Sequence, residues 1–264
     1  MFFRTLSTRF VSAAAGALAL FCLLAQSASA QEWPTKPVRM VVGFPAGGTN
    51  DIVARLVATR LGERLKRPFV VENRPGAGGN IGADAVAKAV PDGYTLAMAS
   101  NGALATNRFL YKSMPFDADK DFAPIVLVGE VPILFAAHPQ VKANNLRELL
   151  ELARAQPDRI NVGSPGNGTI GHFTLVYLKT IANAPLNHVP YKGGAPAMND
   201  VFGGTIQAIV TPAVGFVGHI QSGALKGLGV TTARRMNGLP NTPTAAEQGF
   251  DMEASSLIGL YGPA

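Results

Sequence analysis

The chain has 264 residues, 47% apolar and 15% charged, with 23 basic against 17 acidic side chains and a single cysteine. That length allows one large domain or two of ordinary size. The mild basic excess is spread along the chain without interleaved aromatics, which excludes a nucleic-acid interface and leaves only a weak attraction for small anions.

The first thirty residues read as a secretory leader. Arg4 and Arg9 precede the apolar run "VSAAAGALALFCLLA", and "QSASA" closes it with small residues at Ala28 and Ala30. Cleavage is expected before Gln31, because the run is too short to span a bilayer. Cys22 lies inside it behind Phe21, where lipidation would need a small residue. The mature chain therefore has no disulfide, thiolate nucleophile or cysteine-based zinc site. An exported protein of this kind is expected in the bacterial periplasm. Removing the leader leaves 234 residues, with 21 basic against 17 acidic side chains and a net charge of +4.

After the leader, short apolar strands alternate with helical patterns, the mark of an α/β fold with mostly parallel sheets. The strands expected in the first half are "VRMVVG" (38–43), "FVVEN" (69–73), "YTLAMAS" (94–100) and "FAPIVLVGEV" (122–131). Those in the second are "ILFAAH" (133–138), "RINVGS" (159–164), "NHVPY" (187–191), "IQAIVT" (206–211) and "LKGLGVT" (225–231). Between residues 51 and 66, Ile52, Val53, Leu56, Val57, Leu61 and Leu65 fall on one helical face, with Asp51 expected as the N-cap. "LRELLELARAQP" starts a second helix, with Asn145 and Glu148 as a capping box and Pro157 as the stop. "GAPAMNDVFGG" and "TAAEQG" read as shorter helices closed by glycine. Pro132 marks the junction between a first domain (31–131) and a second (132–251), with 252–264 returning to the first as a strand. The chain stops on that apolar strand, so further C-terminal sequence is expected.

Two strand-to-helix corners match. "GFPAGGT" at Gly43 and "GSPGNGT" at Gly163 agree at four of seven positions. A helix start directs unpaired N–H groups outward with partial positive charge, and glycine lets a ligand approach the backbone. One such corner alone is an ordinary tight turn, but its repetition favours a carboxylate or phosphate site.

Competing chemistries lack their residues. "GNGTIG" fits a dinucleotide loop, but no acidic residue stands between Arg159 and Asn199 to hold a ribose, and "GK" occurs nowhere. Val162 breaks a serine elbow. The four histidines show no zinc-site spacing. Neither catalytic nor metal-ligating residues are assigned, and no cofactor is expected. The binding candidates are Phe44, Ala46, Gly47, Gly48, Thr49 and Asp51 in the first corner, and Ser164, Gly166, Asn167, Gly168 and Thr169 in the second. Ser100, Asn101, Tyr191, Gly193 and Thr211 join them from strand ends, where ligands of parallel sheets collect.

Four long blocks carry a resemblance: "WPTKPVRMVVGFPAGGTNDIVARLVATRL", "VVENRPGAGGNIGADAVAKAVPDGYTL", "HVPYKGGAPAMNDVFGG" and "LPNTPTAAEQGF". Over Trp33 to Ala264 the chain closely resembles the substrate-binding proteins of tripartite tricarboxylate transporters, the Bug family. The resemblance implies a two-domain periplasmic binding protein, a type II-like Venus flytrap with its cleft between the domains. It implies a monomer that captures a small di- or tricarboxylate, acidic amino acid or aromatic acid. Delivery would be to a permease of one large and one small membrane subunit, without catalysis. Phe44–Asp51 and Ser164–Thr169 match the family's two ligand-pinching loops. Two departures bear on the ligand, since the family usually has Trp near Leu257 and often Asp near Thr211. The family also continues for several dozen residues past "GPA". The alternatives are a periplasmic ligand-sensing domain or a secreted α/β enzyme acting on an organic acid.

Overall fold

In the computed structural model, which describes residues 32–264, three parallel strands start a nine-stranded sheet. The leader read from residues 1–30 lies outside the described residues. Strand β1 (Val38–Val42) runs parallel to β2 (Phe69–Asn73) on one side and to β3 (Thr95–Ser100) on the other. Alternation sends Val38, Met40 and Val42 toward Ala54 and Ala58 of helix α1 (Thr49–Leu65). Val41 packs on the opposite face with Ala83 and Val86 of α2 (Asn80–Ala87). With helices on both faces, the strand reads as a continuous apolar run.

The second half repeats the scheme. Strand β4 (Phe122–Ala137) leads through α3 (Leu146–Ala155) to β5 (Asn161–Ser164), and α4 (Ile170–Ala182) leads on to β6 (Asn187–Pro190). Helix α5 (Gly194–Phe202), β7 (Ala208–Pro212), α6 (Val217–Gln221) and β8 (Lys226–Val230) follow. β5 lies parallel to both β6 and β7. Ile133, Phe135 and Ala137 pack on Leu149, Leu150, Leu175 and Leu178, while Leu134 and Ala136 face Ile209, Phe216 and Val230.

Two antiparallel strands join the halves. β4 pairs with β9 (Ser255–Pro263) as far as Pro132, and with β7 from Ile133 onward. The sequence reading expected two strands separated at Pro132; the structure has one. Proline is tolerated here because the ladder changes partners at that residue. The C-terminal strand expected from 252–264 is β9, inserted between β3 and β4.

Three local expectations change or sharpen. Helix α1 begins at Thr49 with Gly48 as N-cap, so Asp51 is not the cap. It sits in the first turn, and its carboxylate accepts the Gly47 N–H at 2.9 Å. "TAAEQG" forms only one 3₁₀ turn, Ala246–Gln248, ended by Gly249 at φ 85°. Helix α3 has its capping box: Asn145 Oδ1 accepts the Glu148 N–H at 2.9 Å, and Asn145 Nδ2 donates to Glu148 Oε1 at 2.7 Å.

Candidate functional site

The first corner is the turn between β1 and α1. Gly47 holds φ 81°, a conformation that favours glycine. The corner is braced from beneath by Asp51, whose side chain is only 3% exposed. Besides Gly47, Asp51 accepts hydrogen bonds from Asn73 Nδ2 at 2.9 Å and Arg55 Nε at 3.0 Å. The same Asn73 nitrogen donates to the Phe44 carbonyl at 2.9 Å. Burial alone would raise the Asp51 pKa, but the bonds from Arg55, Gly47 and Asn73 hold it below the ordinary value. With its carboxylate fully engaged, Asp51 braces the turn. The amides of Thr49 and Asn50, first in α1, have no carbonyl four residues back to bond.

The second corner lies between β5 and α4. Gly168 has φ 83°, and Thr169 caps α4, its hydroxyl accepting the His172 N–H at 3.4 Å and donating to the Gly166 carbonyl at 2.7 Å. Among the described residues, no carboxylate braces this turn. Instead Ser164 Oγ accepts the Gly166 N–H at 3.2 Å and lies 2.7 Å from His188 Nε2. The His172 ring stacks on His188 with centroids 4.7 Å apart, and its Nδ1 accepts the Gly168 N–H at 3.4 Å. Burial, then the neighbouring His172 and Lys179, push the His188 pKa down to about 4, and burial also lowers that of His172. The corner therefore rests on neutral imidazoles near neutral pH.

Each corner is held against segments of the other half. Thr49 Oγ1 donates to the Pro212 carbonyl at 3.2 Å, and Thr106 Oγ1 donates to the Gly168 carbonyl at 3.0 Å. A methyl group on Gly193 would come within 2.5 Å of Pro45, and one on Gly78 within 2.7 Å of the Asn167 carbonyl. Between them lies a cleft of about 410 Å³, mouth included.

Of the residues expected at the site, Phe44, Gly48, Thr49, Ser100, Thr169 and Thr211 line this cleft. The others stand outside the lining. Ala46 and Gly47 form the outer bend of the first turn. Asn101 begins a π-helical turn, Gly102–Thr106, and donates to the Ser255 carbonyl at 3.2 Å. Ser164 is fully buried beneath the second corner; Gly166, Asn167 and Gly168 shape the turn above it. Tyr191 donates its hydroxyl to Asp200 at 2.6 Å, and burial together with that carboxylate pushes its pKa up to about 12. Gly193 abuts Pro45.

Sequence reasoning omitted six lining residues: Asn50, Pro165, Ile170, Gly194, Pro212 and Ser256. Gly194 opens α5, so a third helix N-terminus borders the cleft. Asn50, Pro165 and Ile170 adjoin the corners and follow from the same turn chemistry. Ser256 carries no such signal, because only the pairing of β9 beside β4 brings it there.

Residues 53–264 match the family described as "Tripartite tricarboxylate transporter family receptor". The chain belongs to this family. Among its relatives, Protein BugT of Bordetella pertussis (strain Tohama I) is 36% identical over 91% of this chain and 74% of its own length. A solved structure from R. palustris, Rpa4515 with adipate, has a TM-score of 0.85 at 36% identity, covering 88% of this chain and 78% of that one. Another, MatC of Rhodopseudomonas palustris with bound malate, has a TM-score of 0.82 at 30% identity over 88% and 79% of the two chains. This tripartite tricarboxylate transporter receptor thus has the fold of a periplasmic binding protein, with its paired corners flanking the cleft.

Proposed function

We propose that this receptor captures a small organic carboxylate in the periplasm and hands it to a membrane permease of one large and one small subunit. The observation that carries the reading is electrostatic. The N-termini of α1 and α4 border one cleft, and among the described residues no Lys, Arg or His side chain lines it. Amides with no intrahelical partner and helix dipoles supply the attraction for an anion. Relatives solved with adipate and with malate support the same ligand class.

Residues 31–131 and 132–251 act as two lobes hinged where β4 and β9 cross between them. Thr49 bonds Pro212 and Thr106 bonds Gly168 across the halves, so entry of a carboxylic acid requires the lobes to part. The ligand then stabilises the closed state by its differential affinity for it. The leader is removed before Gln31, and the mature protein works as a monomer without catalysis. Ser164 fits this role: it is fully buried, and its oxygen sits between the Gly166 amide and His188, which makes it a brace for the turn. Isothermal titration against mono-, di- and tricarboxylates tests the proposal. Saturable binding of at least one acid is expected, and heat-silent titrations of the folded protein with all of them would refute it.

A further inference from the structure

The floor of the cleft is polar, uncharged and uncommitted. Thr211 and Ser256 are 1% and 2% exposed, both line the cleft, and neither hydroxyl has a hydrogen-bond partner among the described residues. The strand register sets them on either side of the crossing strand: Ser256 pairs with Val131, and Thr211 pairs with Leu134. Ser100, at the end of β3, adds a hydroxyl whose oxygen accepts from Asn50 Nδ2 at 3.4 Å, leaving its proton to donate. Both oxygens open onto the cleft rather than being sealed in the interior, so an acid that displaces their water must return its hydrogen bonds, and two such hydroxyls facing one cleft point to a group on the ligand.

The charges around that floor define the group. Three helix N-termini border the cleft, at Thr49, Ile170 and Gly194, and each carries about half a positive charge. Among the described residues, no acidic side chain lines it. Asp51, beside Asn50, is already engaged with Gly47, Asn73 and Arg55, and Asp200, on the helix that Gly194 opens, with the Tyr191 hydroxyl. An ammonium group would enter a positive potential and lose its water without gaining a counter-charge. A hydroxyl group both donates and accepts, as Thr211 and Ser256 do.

Resting on the carboxylate reading above, we infer that the ligand is a hydroxy acid, selected over the amino acid of the same carbon skeleton by Thr211 and Ser256. These two are specificity-determining residues: the corners hold the carboxylate, and the floor reads the substituent. A site built to hydrogen-bond a substituent rejects analogues that leave its buried groups unpaired.

Isothermal titration with matched acids tests this. The probes are lactate, alanine and propionate; malate, aspartate and succinate; and 2-hydroxyglutarate, glutamate and glutarate. For the skeleton that binds, the hydroxy acid is expected to bind about tenfold more tightly than the unsubstituted acid, and about thirtyfold or more above the amino acid. In Thr211→Val, and independently in Ser256→Ala, the preference for hydroxy over unsubstituted acid should fall toward one, with melting temperature confirming the fold. An amino acid that binds as tightly as its hydroxy counterpart overturns the inference and leaves the carboxylate reading standing. So does a preference unchanged in both variants. Absence of binding by all nine acids, together with the full carboxylate panel, overturns both.

Discussion

The two glycine corners share a turn and differ in what holds it. Under the first, a buried carboxylate gathers Gly47, Asn73 and Arg55. Under the second, a threonine cap, a buried serine and two stacked imidazoles do the same task without charge. What the repeat keeps is the backbone shape that directs amides into the cleft; its support can be ionic or neutral. The consequence is different sensitivity. The first corner depends on an ionised group that titrates below the ordinary carboxylate value, whereas the second depends on histidines that must stay neutral.

The largest expected contrast comes from adding bulk to each corner. At Gly168 a methyl group would fall 2.0 Å from Asn107 Oδ1, and Asn107 is fully buried, with its amide nitrogen bonded to Asn80 at 2.6 Å. At Gly47 the nearest atom would be 3.8 Å away. Gly168→Val should therefore weaken carboxylate binding by more than about a hundredfold, since it adds a clash to a strain of about 1–3 kcal/mol. Gly47→Ala should show the strain alone, and calorimetry distinguishes the two. Equal losses would contradict the asymmetry.

Next comes acid. The folded pKa of His188, about 4, lies below its ordinary value of 6.5, so the unfolded chain binds the extra proton first. Stability is then full above about pH 6.5 and falls as pH drops toward 4, by about 2 kcal/mol between pH 7 and pH 5. Asp51 is depressed below 3.8, so its contribution persists through that window and is lost only in stronger acid. Melting temperatures should fall between pH 7 and 5, and His188→Gln should flatten that decline. Asp51→Ala should cost about 1–3 kcal/mol, because it leaves Asn73 and the Gly47 amide short of an acceptor. Unlike acid, it should loosen residues 43–51 first, as read by hydrogen exchange. The smallest change is Thr106→Val, which removes the bond to the Gly168 carbonyl. A loss of about 0.5–1.5 kcal/mol in binding is expected, seen as faster ligand release.

Much of this was legible in the sequence because it is local. The apolar run "VRMVV" and the three- and four-residue spacing from Ile52 to Leu65 give the right elements, although Ile52 and Leu56 are exposed and the helix buries Ala54 and Ala58 instead. The Asn145–Glu148 box needs only three residues. The repeated corners could be matched by eye because their glycines answer to backbone angles such as those of Gly47 and Gly168. The rest depends on contacts distant in sequence. Asp51 looked like a cap because its partners, Asn73 and Arg55, belong to other turns. Ser256 reaches the cleft only through strand pairing with residues more than a hundred positions earlier, and β4 passes through Pro132 unbroken because its neighbours change there.

The central claim is that both corners act together on one carboxylate. Hydrogen–deuterium exchange of residues 43–52 and 163–172, with and without a saturating amount of the acid that titrates most tightly, tests it directly. The account predicts slowed exchange in both segments at the same ligand concentration. Protection confined to one corner, with the other unchanged at saturation, would contradict it.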